Sequence, residues 1–486
     1  MKTKIVIMFL LVLLAATVLV PLAASIQSTG NQKVIVELVF SRDITNSDIK
    51  SIEKIGGRVI YVFNEVRGLA VLIDKDKASS LYSMDGVAQA GFASVREALS
   101  EMLPSNCAFH GTVMTWNLDM INVPTVHEFY GLDGSGVYIA VLDTGLEPQW
   151  KSYFPVDKID AQHAAAFLGA MATAYPLNEN YNKNAWEADT NGHGTHVVST
   201  IIGFSVYGLY RVDGVAPGAT IIPVKVLSNA GWGFSTDVAA GIIYVANLFI
   251  AEKNSGGNVL PPSGIVNPVI ISMSLGGPDL SPLEKAAIDY AINAGVFIVA
   301  AAGNEGEVGM SYPGAYEPVI SVGAAGWIGE WNKTAWWRSS DVPENLDGQV
   351  YVTDFSSRAL DGQDLDVLAP GSWVVGPYTP YGAAHPPIWA NGVPGQYYYL
   401  GGTSMATPHV SGVLALVLQK DLLTDNEIDI NQTLAENLLE SSTLPITWYS
   451  ATVREPSGSI VTYTWGPNAT GSGLIQADKV IENFLG

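Results

Sequence analysis

Two regimes of hydrophobic patterning divide the chain. Between residues 33 and 96 the runs are short and half-apolar. Lys33–Phe40 (KVIVELVF), Arg58–Phe63 and Leu69–Ile73 have strand character, and Ser47–Ile55 and Lys77–Met84 have helical spacing. Asn46 or Ser47 is the expected cap of the first helix, Gly56 and Gly57 its end, and Gly68 the turn between two strands. Strand–helix–strand–strand–helix–strand predicts a small ferredoxin-like α+β unit. From Trp116 onward the apolar runs lose their alternation: Val137–Leu142, Ile221–Leu227, Val269–Met273, Val296–Ala300, Val319–Val322 and Leu365–Leu368. Such runs are strands buried on both faces. The amphipathic stretches between them, Ser235–Phe249 and Pro282–Ala294, predict helices. The expected body is therefore α/β, three layers deep, with a mostly parallel central sheet.

Three segments break the rhythm. Residues 97–115 have no clear period and read as a hinge or processing segment. Residues 327–352, with Trp327, Trp331, Trp336 and Trp337, and residues 377–400, rich in Tyr and Pro with Trp389, read as long loops packed on the domain surface. Asn332, Asn431 and Asn468 begin N-x-[ST] sequons.

The N-terminus adds a compartment. Lys2 and Lys4 precede the apolar run Ile5–Val20, followed by Pro21 and the small residues Ala23, Ala24 and Ser25. This reads as a secretory signal peptide over residues 1–25, the alternative being a membrane anchor through residues 5–20. Cys107 is the only cysteine among 486 residues, so no internal disulfide forms, and it reads as a spare thiol in a loop. Net charge is −22, which disfavours nucleic acid as a partner. Residues 26–106 balance nine basic against ten acidic side chains, so that charge lies almost wholly in the body. Its carboxylates protonate in acid and their repulsion falls, an expectation of acid-tolerant activity.

Chemistry concentrates in three places. In GTSMATPH (402–409) Gly402 frees the backbone before Ser404, and the apolar spacing of Met405–Leu418 puts Ser404 at a helix N-terminus, where N–H groups favour developing negative charge. Pro408 falls early in that helix. A serine hydroxyl needs a base, and NGHGTH (191–196) offers His193 between two glycines, ahead of a helical stretch Thr195–Gly203. An imidazole base needs a partner to fix its tautomer, and Asp143 ends the buried run Val137–Leu142, where parallel sheets place active groups.

The order Asp, His, Ser and six ordered blocks carry a family resemblance. VLDTG (141–145), NGHGTHV (191–197), GVAPGA (214–219), SMSLGG (272–277), AAGNEG (301–306) and GTSMATPH (402–409) together resemble the subtilisin-like serine proteases from about Trp116 to the C-terminus. The resemblance implies a subtilisin-like fold and broad endopeptidase activity through Asp143, His193 and Ser404, with Asn304 donating to the oxyanion beside the Ser404 N–H. It implies that Gly231, Gly233 and Phe234 on one side, and Ser274, Leu275 and Gly276 on the other, pair with extended substrate. Ala302 and Gly303, with Ala301 and Tyr312–Pro313–Gly314, become walls of the primary specificity pocket, with Ser311 near its floor. No acid is evidently placed there, so large apolar residues are expected before the cut. His196 and His409 are expected to pack structurally.

The resemblance also gives residues 26–106 the role of a propeptide, chaperone and intramolecular inhibitor, released by self-cleavage within 97–115. Residues 107–486 then form the peptidase domain. Partners are protein and peptide substrates and the propeptide, no nucleic acid, with the chain monomeric. No cofactor is required for the chemistry. Structural calcium is possible, but VVSTIIGFSVYGLYRVD (197–213) lacks the asparagines of the family's calcium loop, and no metal ligands are assigned. Asp157 and Asp213 are the carboxylates a cation site would use, against the plainer reading of solvated surface groups. No H-E-x-x-H or cysteine pair points to zinc.

Overall fold

The structure is a computed structural model that describes residues 32–99, 115–174, 184–261, 264–328, 342–343, 350–378, 397–447, 449–454 and 459–485. The expected signal peptide, Cys107 and the middles of both aromatic-rich loops lie outside the described residues.

The first unit comprises β1 (Lys33–Phe40), α1 (Asn46–Lys54), β2 (Arg58–Phe63), β3 (Gly68–Asp74), α2 (Ala78–Tyr82) and β4 (Val87–Phe92). Its sheet runs β2-β3-β1-β4 with every pair antiparallel. Alternation in β1 serves two surfaces. Val36 and Leu38 pack with Ile52 of α1, while Ile35 joins the apolar cluster of the body. Two local expectations are corrected. The α1 cap is Thr45, whose backbone N–H and hydroxyl both donate to Asp48 Oδ2, at 2.8 and 2.7 Å. The turn before β3 is made by Arg67, at φ 52°, and Gly68 already belongs to the strand.

The expected processing segment begins with structure. Residues Val95–Ala98 form a short strand, β5, that pairs with the body. Beyond it the main elements are β6 (Tyr138–Asp143), α3 (His193–Ile202), β7 (Thr220–Lys225), β8 (Trp232–Phe234), α4 (Ser235–Ser255), β9 (Val269–Met273), β10 (Leu275–Gly276), α5 (Pro282–Ala294), β11 (Phe297–Ala301), β12 (Ile320–Trp327), β13 (Val367–Pro370) and α6 (Thr403–Asp425). β7-β6-β9-β11-β12-β13 are successive parallel neighbours in a ten-stranded sheet. All six apolar runs picked from the sequence are in it, their ends displaced by a residue or two except at β12, which runs five residues further, to Trp327.

Both faces of that sheet are apolar because both are covered. Ile139, Val141, Ile270 and Val299 pack with Val198 of α3 and Val413 of α6. Ala140, Leu142, Ile271 and Ile298 pack with Val238 and Ile242 of α4 and Ile288 of α5. Each of these Ile, Leu and Val side chains contributes roughly 1.5–3 kcal/mol by leaving water. Among the described residues α4 is the one helix long and apolar enough to cross a bilayer, and 72% of that stretch is buried in the fold. Residues 197–213 continue α3 and then form a hairpin, Phe204–Val206 against Tyr210–Val212. Asp157 is exposed, and Asp213 lies 3.8 Å from Arg211. Among the described residues no group of three or more His, Cys, Asp or Glu side chains is gathered as a metal site.

Candidate active site

Asp143, His193 and Ser404 arrive from three different elements. Asp143 closes β6 at the carboxyl end of the parallel sheet and is fully buried. Its two carboxylate oxygens lie 2.9 and 3.0 Å from His193 Nδ1. With Nδ1 as donor, the acceptor nitrogen of the ring is Nε2, which has no partner among the described residues. His193 is the first residue of α3, delivered by Gly192 at φ +88°. Gly194 is required by close approach: a Cβ there would stand 2.4 Å from the Gly145 carbonyl oxygen.

Asp189 organises this turn, and no motif had singled it out. Its buried carboxylate accepts from Asn191 N–H at 2.8 Å, Gly192 N–H at 2.9 Å and Thr144 Oγ1 at 2.8 Å. Thr144 Oγ1 in turn accepts from Gly194 N–H at 3.0 Å. The strand end bearing Asp143 and the helix start bearing His193 are thereby tied to one anchor. Burial raises the Asp189 pKa, opposed by Lys225 and these hydrogen bonds.

Ser404 is the second residue of α6 and follows Gly402 at φ +149°. Pro408 lies inside the helix, as expected. Ser404 Oγ donates to the Ser274 carbonyl oxygen at 2.9 Å, and Ser274 Oγ donates to the Ser404 carbonyl at 2.8 Å. Asn304 Oδ1 accepts from Thr403 N–H and Oγ1, at 3.0 and 2.9 Å. That fixes the amide and leaves its Nδ2 without a partner among the described residues. His409 is buried between Asn117 Nδ2 and the Met405 carbonyl, and burial lowers its pKa to about 4. His196 is buried with Nε2 3.3 Å from the Tyr398 carbonyl oxygen.

The two segments expected to pair with extended chain hold one. β5 lies antiparallel between β8 and β10, with Trp232 opposite Glu97, Gly233 opposite Arg96, and Leu275 opposite Ala98. Ala98 N–H donates to the Gly231 carbonyl at 2.9 Å. The next residue, Leu99, is buried, and its carbonyl oxygen accepts from Ser404 N–H at 3.3 Å.

Around Leu99, a Cβ on Gly276 would stand 3.0 Å from Leu99 Cδ1 and 2.6 Å from Ser311 Cβ. Ser311 N–H donates to the Ala302 carbonyl at 2.7 Å. Here the structure adds an acid that sequence reasoning did not place. Glu305 Oε2 accepts from Ser311 Oγ at 3.1 Å and Ser357 Oγ at 3.0 Å, and a Cβ on Gly303 would touch it. The neighbouring AAGN block pointed to this position, but only the fold brings Ser311 and Ser357 to it.

Known proteins resemble this chain in sequence and in fold. The subtilase family matches residues 134–448. The chain is 30% identical over 370 residues to a thermostable alkaline protease of Halalkalibacterium halodurans, covering 76% of this chain and 73% of that one. It is 28% identical over 431 residues to subtilisin E of Bacillus subtilis, covering 88% and 84% respectively. Fervidolysin from Fervidobacterium pennivorans, a keratinolytic enzyme related to subtilisin, superposes with a TM-score of 0.61 at 22% identity. That likeness covers 94% of this chain and 62% of the longer one, and it carries the fold alone.

Proposed function

Because this chain belongs to the subtilase family and is a subtilisin-type serine endopeptidase, we propose that it cuts through Asp143, His193 and Ser404 and that its first substrate is its own Leu99–Ser100 bond. The observation that carries this reading is the seat of Leu99. Its carbonyl oxygen is hydrogen-bonded to the Ser404 N–H, on a strand held from both sides.

Ser404 Oγ turns from the Ser274 carbonyl toward His193 Nε2, which takes its proton as the oxygen attacks the carbonyl carbon. The oxyanion is held by Ser404 N–H and Asn304 Nδ2. Asp143 stays ionised and steadies the imidazolium. His193 then protonates the leaving amine, the C–N bond breaks, and water attacks the acyl ester by the same path in reverse.

Residues 26–99 thereby become a separate propeptide that occupies the cleft as an inhibitor. Chain pairing through β8 and β10 uses backbone groups, which supports broad specificity. Leu99 in the primary pocket supports a preference for large apolar residues before the cut, with Glu305 a polar feature of that pocket. We further propose secretion through residues 1–25, action as a monomer, and chemistry that needs no cofactor. N-terminal sequencing of the mature protein separates free secretion from anchoring by residues 5–20.

The test compares hydrolysis of a peptide with Phe before the cut by wild type and Ser404→Ala, each after time to mature. Cleavage by wild type alone supports the reading. A folded, propeptide-free wild type that cuts nothing overturns it.

A further inference from the structure

The strand β5 and the residue that follows it present two buried side chains to the body, and they differ in kind. Leu99 and Arg96 are buried, while Glu97 between them is exposed. If cleavage follows Leu99, Arg96 stands four residues before the cut. Its side chain is 0% exposed. Nε donates to Glu284 Oε1 at 2.9 Å, and Nη2 donates to Glu284 Oε2 and to the Asp279 carbonyl, the latter at 2.8 Å. Nη1 folds back to the Val95 carbonyl at 2.9 Å. Glu284 is held in the first turn of α5, its own N–H donating to the Ser281 hydroxyl at 3.0 Å. Gly277 leaves room for the guanidinium, since a Cβ there would stand 2.6 Å from Arg96 Nη1.

A buried ion pair is a poor way to gain stability, because an apolar side chain of the same size serves as well or better. It is an effective way to select a partner, because a peptide lacking the cation leaves a carboxylate desolvated and uncompensated. The groove that receives Arg96 is built from Gly277, Asp279 and Glu284 of the body, so it remains when residues 26–99 leave. We propose that Glu284 makes this groove a subsite for arginine four residues before the cut, so that peptides with Arg there and an apolar residue at the cut are preferred substrates. The inference rests on the reading of Leu99 as the residue before the cut. Two parallel N–H···O bonds match a guanidinium, so arginine is selected over lysine as well as over apolar residues.

The test uses mature enzyme and fluorogenic peptides that differ only at the fourth position before the cut: Arg, Lys, Ala or Leu. The Arg peptide is expected to exceed the Ala peptide in kcat/KM by roughly 10- to 100-fold, the weight of a buried charge-assisted pair. In Glu284→Gln the Arg-to-Ala ratio falls to about one, and in Glu284→Arg the Arg peptide falls below the Ala peptide. Should either variant fail to mature because Arg96 has lost its partner, the same change is made with Arg96→Leu. Equal rates for Arg and Ala peptides, or a faster Leu peptide, overturn the subsite and leave the endopeptidase reading intact. Failure to cut any of the four overturns the reading beneath it.

Discussion

The body's central sheet and the contact between that body and residues 32–99 are both buried, but in different chemistry. The sheet is flanked by Ile, Val, Leu and Ala on both faces. The contact is apolar only in part. Glu37 of β1 accepts from the Ser235 and Thr236 hydroxyls at the N-terminus of α4, at 2.8 and 2.6 Å. Asp237, the next residue in the same first turn, accepts from Tyr61 at 3.1 Å and from Ala170 and Met171 N–H at 3.0 and 3.1 Å. Arg96 meets Glu284 at the start of α5. Apolar burial has no pH at which it fails, whereas buried carboxylates exchange their hydrogen bonds for water when charge is favoured. On the proposed reading, the apolar joint is permanent and the polar one opens after cleavage.

The largest expected effect comes from removing the proposed cleavage between the two units. Ser404→Ala is expected to abolish peptide hydrolysis and leave residues 26–99 covalently attached, read as a single intact band on a denaturing gel. Asn304→Ala keeps the joint severable but slow, lowering kcat by about 10²–10³. Its KM should change little if the amide acts on the oxyanion rather than on the ground state.

A smaller effect sharpens the contrast by pH. Burial raises the pKa of Glu37, and raises that of Asp237 to about 7 against its hydrogen bonds. Carboxyls with raised values in the complex hold protons that they release on separation and hydration. The complex is therefore favoured in acid and weakens as pH rises from about 4 to about 7, by up to about tenfold per unit per group. Inhibition of the mature enzyme by added residues 26–99 should be tightest near pH 4, and Asp237→Asn should flatten the slope. Tighter inhibition at pH 8 than at pH 5 would contradict this.

The smallest effect lies inside the body. Burial raises Asp366 to about 8 and Glu436 to about 7, the latter helped by Glu440, Glu317 and Asp364. The folded body keeps protons that the unfolded chain releases, so its stability should fall as pH rises from about 4 to about 8. A melting temperature a few degrees higher at pH 5.5 than at pH 8, with less difference in Asp366→Asn, is the expected result. That result would agree with the acid tolerance expected from the charge balance; a higher melting temperature at pH 8 would contradict it.

What was legible in the sequence follows the same division. Strands buried on both faces announce themselves as unbroken apolar runs, and Asp143, His193, Asn304 and Ser404 sit in short motifs whose glycines are forced by close backbone approach. β5 was not legible. Four residues carry too little period, and its partners lie at Trp232–Phe234 and Leu275–Gly276, far away in the chain. For the same reason neither Arg96, at the end of the α+β unit, nor Glu284, within the amphipathic stretch Pro282–Ala294, was singled out. Glu305 and Asp189 gain their meaning from hydroxyls and N–H groups that only the fold gathers. The cap of α1 was misread by one or two positions, because Thr45, Asn46 and Ser47 are all competent caps and only the backbone chooses among them.

The most direct test of the account is the mass and N-terminal sequence of the mature enzyme, measured beside Ser404→Ala. A chain beginning at Ser100 is expected from wild type, and no such species from the variant. A mature chain beginning at another residue, or a variant processed at Leu99–Ser100 as readily as wild type, would contradict it.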